Sequence, residues 1–65
     1  APEVPNAGPT LRSGCRIGAG AVLLPEVEIG AGAFVAAGAL VTTSIAPGML
    51  AMGAPAREIR AIGDS

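Results

Sequence analysis

Between Leu11 and Ala46 the apolar residues recur every six positions. Cut into hexads, the segment reads Leu-Arg-Ser-Gly-Cys-Arg, Ile-Gly-Ala-Gly-Ala-Val, Leu-Leu-Pro-Glu-Val-Glu, Ile-Gly-Ala-Gly-Ala-Phe, Val-Ala-Ala-Gly-Ala-Leu and Val-Thr-Thr-Ser-Ile-Ala. The first place is aliphatic in each: Leu11, Ile17, Leu23, Ile29, Val35 and Val41. The fifth is small or apolar: Cys15, Ala21, Val27, Ala33, Ala39 and Ile45. The fourth is glycine at Gly14, Gly20, Gly32 and Gly38. An amphipathic helix repeats at about 3.6 residues and a half-buried strand at about 2, and neither period keeps this register. A short strict repeat predicts a solenoid, in which each unit buries its apolar face against its neighbours. The fourth-place glycines then mark corners with φ > 0, where a Cβ would clash. First and fifth places point inward, large against small. Glu26 stands where a corner glycine is expected, so a looser corner is predicted at Pro25–Glu26.

Outside the repeat the signals are shorter. Residues 1–10 hold three prolines and a glycine and read as an extended lead or loop. Pro47-Gly48 turns the chain, and Met49 to Met52 reads as one more strand. Pro55, the spacing of Ile59 and Ile62 and a stop at Gly63 predict one or two turns of helix over 55–62 as a cap. The chain thus divides into a lead (1–10), a repeat domain (11–52) and an exit segment (53–65).

The hexads, with Ile17-Gly18 and Ile29-Gly30, resemble the hexapeptide-repeat family. That resemblance implies an all-β, left-handed parallel β-helix. Three hexads would make one coil, Leu11–Glu28 and then Ile29–Ala46, about two to two and a half coils with a short C-terminal helical cap. Residues 37–42 followed by Gly53-Ala54-Pro55-Ala56-Arg57-Glu58-Ile59-Arg60 resemble the last coil and exit segment of acyl-CoA-dependent acyltransferases, and Pro9-Thr10-Leu11 is similar to those acting on nucleotide-linked amino sugars. The resemblance covers residues 9–60.

Size and charge narrow the possibilities. A core of 65 residues is small. Two coils leave rows of unpaired strand groups at each end. Further coils upstream, or identical chains side by side as a homotrimer, are the expected supports, and Ala1 in place of an initiator Met leads us to expect a section of a longer protein. The net charge of −1 offers no basic stripe for nucleic acid. Residues 29–56 are uncharged and long enough to cross a bilayer, but five glycines and two prolines in hexad register argue against it. No signal peptide is visible, and a cytoplasmic location is expected. Lone Cys15, in an inward place, reads as a small buried residue.

Chemistry-bearing residues are few. The chain has no histidine, so Cys15 lacks the base a thiol nucleophile needs and no His-rich zinc site exists. Glu26 and Glu28 lie two apart, yet a solvated corner explains them. The resemblance implies a groove for acetyl-CoA at a seam between subunits. Ala19 and Ala37, eighteen apart, would stack on one corner with Gly38 beside them, offering backbone groups to the pantetheine amides. Small residues also simply suit tight corners, so the same positions have a structural reading. Arg57 matches a basic place near the CoA phosphates, with Arg60 as a weaker second. Thr43 falls in the candidate set where relatives carry Lys or Arg, which puts one phosphate contact in doubt.

Two functions follow. In one, the chain is the C-terminal section of an acetyl-CoA-dependent acyltransferase acting on a small acceptor such as a nucleotide-linked sugar, with the catalytic base supplied elsewhere. In the other it is a non-catalytic β-helical module for spacing or oligomerisation.

Overall fold

The computed structural model describes residues 8–62, whose regular structure is all strand. Six two-residue strands come first: β1 (Thr10–Leu11), β2 (Arg16–Ile17), β3 (Val22–Leu23), β4 (Glu28–Ile29), β5 (Phe34–Val35) and β6 (Leu40–Val41). Each ends on a first-place aliphatic residue. β1 pairs with β4, β2 with β5 and β3 with β6, all parallel, with partners such as Ile17 and Val35 eighteen residues apart. The pairs form three faces of a prism: face A (β1, β4), face B (β2, β5) and face C (β3, β6).

The inward places fill the prism. Ile29, Val35 and Val41 are 0% exposed, and Val27, Ala33, Ala39 and Ile45 are buried with them. Full burial of one such aliphatic side chain stabilises by about 1.5–3 kcal/mol. Cys15, Ile17, Ala21 and Leu23 pack on this cluster but are only partly buried, and Leu11 is 51% exposed. The first turn is therefore covered from one side only among the described residues.

Corners follow the expected chemistry at Gly14, Gly20, Gly32 and Gly38, whose φ lies between 71° and 76°. Glu26 does not relax into a looser corner: its φ is 71°, the same left-handed geometry. Parallel pairing on both sides of this corner fixes where the chain must re-enter face A, so Glu26 takes the strained conformation.

The eighteen-residue coil does not continue. Ile29 bridges Ile45, and Val35 pairs with Ala51, so the spacing falls to sixteen. Ile45 thus stacks directly beneath Ile29 rather than filling a fifth place. The corner after Val41 has no glycine in its fourth place, only Ser44. It takes a shorter path, and the Ser44 hydroxyl accepts a hydrogen bond from the Glu28 N–H at 2.8 Å.

The exit segment is a strand, not the expected helical cap. β7 (Met49–Gly53) adds to face B beside β5, and β8 (Ala56–Ala61) pairs antiparallel with β7 after a turn at Ala54–Pro55, a cis peptide bond. A one- or two-turn helix is marginal and leaves the outer edge of β7 unpaired, whereas β8 satisfies it. A bulge between Leu50 and Ala51 sets the outward row Leu50–Arg60 and Met52–Arg57. Ile62 then donates to the Gly48 carbonyl at 2.7 Å.

Candidate functional site

Face B leads into face C through two stacked corners, Gly18-Ala19-Gly20 and Ala36-Ala37-Gly38. Their backbones are in close contact. The Gly18 N–H donates to the Val35 carbonyl at 2.7 Å, and Gly38 N–H to the Ala19 carbonyl at 3.0 Å. A Cβ on Gly18 would lie 2.4 Å from the Ala37 nitrogen, so only glycine fits the upper corner. Ala19, Ala37 and Gly38 are all exposed. The Ala19 carbonyl is already used, but Ala37 has no backbone hydrogen bond among the described residues. Its N–H and C=O are therefore among the backbone groups at this corner able to pair with an amide ligand, with the Ala19 N–H and the Gly38 carbonyl beside them.

Arg57 stands on β8 opposite Met52, in the outward row that continues from Gly18 and Ala36. Two strand spacings separate it from Ala36, about 10 Å. Its guanidinium donates one hydrogen bond to the Ala56 carbonyl at 3.2 Å, which leaves most of its donors available. Ala19, Ala37, Gly38 and Arg57 thus line one side of the prism. Thr43 does not join them. It lies on the shortened corner between faces C and A, with face C intervening.

Two carboxylates, Glu28 and Glu58, have defined partners. Arg12 Nε donates to Glu28 Oε2 at 2.7 Å on face A. This hydrogen bond, and then the Arg12 charge, hold the Glu28 carboxyl below its ordinary value, while the same contacts raise Arg12. Glu58 Oε2 accepts from the Ala46 N–H at 2.8 Å, closing the lower end of the prism. Neither contact has a local sequence signal, because both partners meet across coils. No group of three or more His, Cys, Asp or Glu able to hold a metal occurs among the described residues. No helix among them is long and apolar enough to cross a membrane.

The stacked hexads decide the family, because the model for bacterial transferase hexapeptide (six repeats) matches residues 8–43. The chain belongs to the hexapeptide transferase family. It is 44% identical over 59 residues to 2,3,4,5-tetrahydropyridine-2,6-dicarboxylate N-acetyltransferase of Staphylococcus aureus (strain JH9), an alignment covering 89% of this chain and 25% of that protein. Among solved structures, serine acetyltransferase of Brucella abortus in complex with coenzyme A superposes with a TM-score of 0.87 at 33% identity, covering 97% of this chain and 25% of the other. A galactoside acetyltransferase in complex with coenzyme A superposes with a TM-score of 0.83 at 39% identity, covering 86% and 28%. The all-strand hexapeptide fold matches that of left-handed β-helix acetyltransferases. The chain spans about a quarter of the length of these relatives.

Proposed function

We propose that this hexapeptide chain is the cofactor-binding, C-terminal section of an acetyl-CoA-dependent acyltransferase. Its acceptor is the hydroxyl or amine of a small molecule, a sugar being our first choice. The observation that carries this reading is the corner at Ala37. Ala37 is exposed, its backbone N–H and C=O have no backbone partner among the described residues, and Arg57 lies in line with it. That arrangement fits a ligand with amide groups along its length and phosphate at one end, since Arg suits phosphate and open backbone groups suit amides. The two relatives solved with coenzyme A support the same assignment. Thr43 lies on a different corner, and a contact from it requires a neighbouring copy.

In this reading the chain binds and orients the thioester, and the proton-accepting base comes from outside it, since the chain has no histidine. The same lack of histidine favours a second reading, a non-catalytic module that packs as a trimer. Both readings predict assembly through the flat outer faces.

Titration calorimetry of acetyl-CoA into the chain separates them. Saturable binding, weakened about tenfold to a hundredfold in Arg57→Ala, is the expected result for a charge-assisted phosphate contact. Equal affinity of the two proteins would remove Arg57 from the site, and no binding to a folded assembly would favour the structural module.

A further inference from the structure

The corner between faces A and B, away from Ala37, carries a cavity of about 220 Å³ lined by Gly14, Arg16, Gly32, Ala33, Phe34 and Ile62. Its floor exists because Gly14 and Gly32 have no side chains. A Cβ on Gly32 would meet nothing within 4 Å, and one on Gly14 nothing closer than 3.8 Å. One wall is the outward row of face B, where Arg16 pairs in register with Phe34. Ile62 closes the lower end, held by its hydrogen bond to Gly48.

Two features of this wall point to a ligand. Phe34 is the only aromatic residue in the chain, and it stands here 37% exposed. Arg16 is exposed and has no ion pair among the described residues. Among the described residues Glu28 is paired with Arg12, Glu58 accepts from the Ala46 amide, and Glu26 stands on the corner between faces C and A, away from this wall. A cation with free donors beside an apolar slot selects an anion with an apolar body. The volume is below the range of about 300–1,000 Å³ typical of drug-sized sites, so the ligand is small.

We infer that the Gly14–Gly32 corner is a binding site for a small aryl or branched aliphatic carboxylate, its carboxylate on Arg16 and its apolar body against Phe34 and Ile62. The site is separate from the corner proposed for acetyl-CoA, and the inference does not depend on that proposal.

Phenylacetate is a suitable probe, followed by amide chemical shifts of the isotope-labelled chain. Saturating shifts at Gly14, Gly32 and Phe34 are expected, with a dissociation constant on the order of several millimolar for a ligand of about ten heavy atoms. Arg16→Gln, an exposed change, should weaken binding about tenfold, and the neutral phenylacetamide should bind correspondingly worse. Unchanged affinity in Arg16→Gln, equal binding of acetate alone, or no saturation would overturn the assignment. So would displacement of phenylacetate by acetyl-CoA, because the two corners would then be one site.

Discussion

The hexads contain two kinds of glycine, and substituting one of each separates their roles. Gly32 has φ of 71° and open space where a Cβ would stand, so Gly32→Ala costs only backbone strain. That strain is about 1–2 kcal/mol for a left-handed residue, offset by about 0.4–1 kcal/mol because alanine restricts the unfolded chain. The expected net loss is about 1 kcal/mol. Gly18 lies outside the left-handed region, and its constraint is contact. A Cβ there would sit 2.4 Å from Ala37 N, 2.7 Å from Ala37 Cα and 2.9 Å from Ala36 C, all main-chain atoms of the next coil. Ordinary carbon contacts need about 3.5–4.0 Å, so the two coils must separate by about 1 Å at that corner. The Gly18–Val35 and Gly38–Ala19 hydrogen bonds, at 2.7 and 3.0 Å, span this gap and would stretch past useful length. Overpacking of about 1–3 kcal/mol and the weakening of bonds worth about 1 kcal/mol each give an expected loss of about 3 kcal/mol. A chain of this size has about 3–10 kcal/mol in all. Urea unfolding followed by circular dichroism measures both variants against the parent. A loss in Gly32→Ala equal to or greater than that in Gly18→Ala would refute the contact argument.

Three further outcomes follow from named contacts. Glu26→Gly should raise stability by about 0.5–1 kcal/mol, since glycine relieves strain of about 1–2 kcal/mol and loses about 0.5–1 kcal/mol in chain entropy; a melting temperature that rises by several degrees is the readout. Glu58→Ala should cost about 1 kcal/mol and speed hydrogen exchange at the Ala46 amide, and unchanged exchange would mean water replaces the carboxylate. The Arg12–Glu28 pair holds the folded Glu28 carboxyl below its ordinary value of 4.5, so its contribution is full above that value and lost as pH falls through the lower folded one. The contribution is small and salt-screened at this exposed site. Arg12→Gln should flatten the acid limb of a stability–pH curve at low ionic strength, and an unaltered limb would assign it to other groups.

The repeat was legible because its physics is local. Aliphatic first places and small fifth places can be read directly, and from Val27 to Ile45 they are the residues that fill the prism. The left-handed corners at Gly14, Gly20, Gly32 and Gly38 were legible for the same reason. Gly18 and Gly30 were visible as Ile-Gly pairs, but their cause was not. It lies in the backbone of the next coil, Ala37 for one and Pro47 for the other. The shortened coil was hidden because Ile45 is inward in either register, and only its bridge to Ile29 distinguishes them. The exit strand was misread because Ile59 and Ile62 have helical spacing, while the edge of β7 that recruits the segment lies several residues earlier in the chain. Of the site, the stacking of Ala19 over Ala37 follows from their eighteen-residue spacing. The same spacing puts Arg16 over Phe34, a pairing available to the sequence reading but not drawn from it.

The lower end of the prism connects stability to the proposed chemistry. A solenoid that simply stopped would expose the donors and acceptors of its last coil. Here β8 covers the end beneath face B through three contacts, two polar and one apolar. It pairs along β7, its Glu58 accepts the Ala46 N–H, and its first residue, Ala56, is 4% exposed within the cluster that holds Val41. The residue next to that buried anchor is Arg57. The strand that closes the core thus also sets the position of the one cation aligned with the Ala37 corner. A cap made of helix would have covered the same apolar end without fixing Arg57 to the outward row of face B. Loosening the cap from its far side, as in Glu58→Ala, should therefore lower stability while leaving the Met52–Arg57 pairing intact. Acetyl-CoA affinity in that variant, measured well below its melting temperature, is expected to match the parent. A parallel loss of affinity would mean that the Glu58 contact, rather than β7 pairing and the Ala56 anchor, holds the arginine in place.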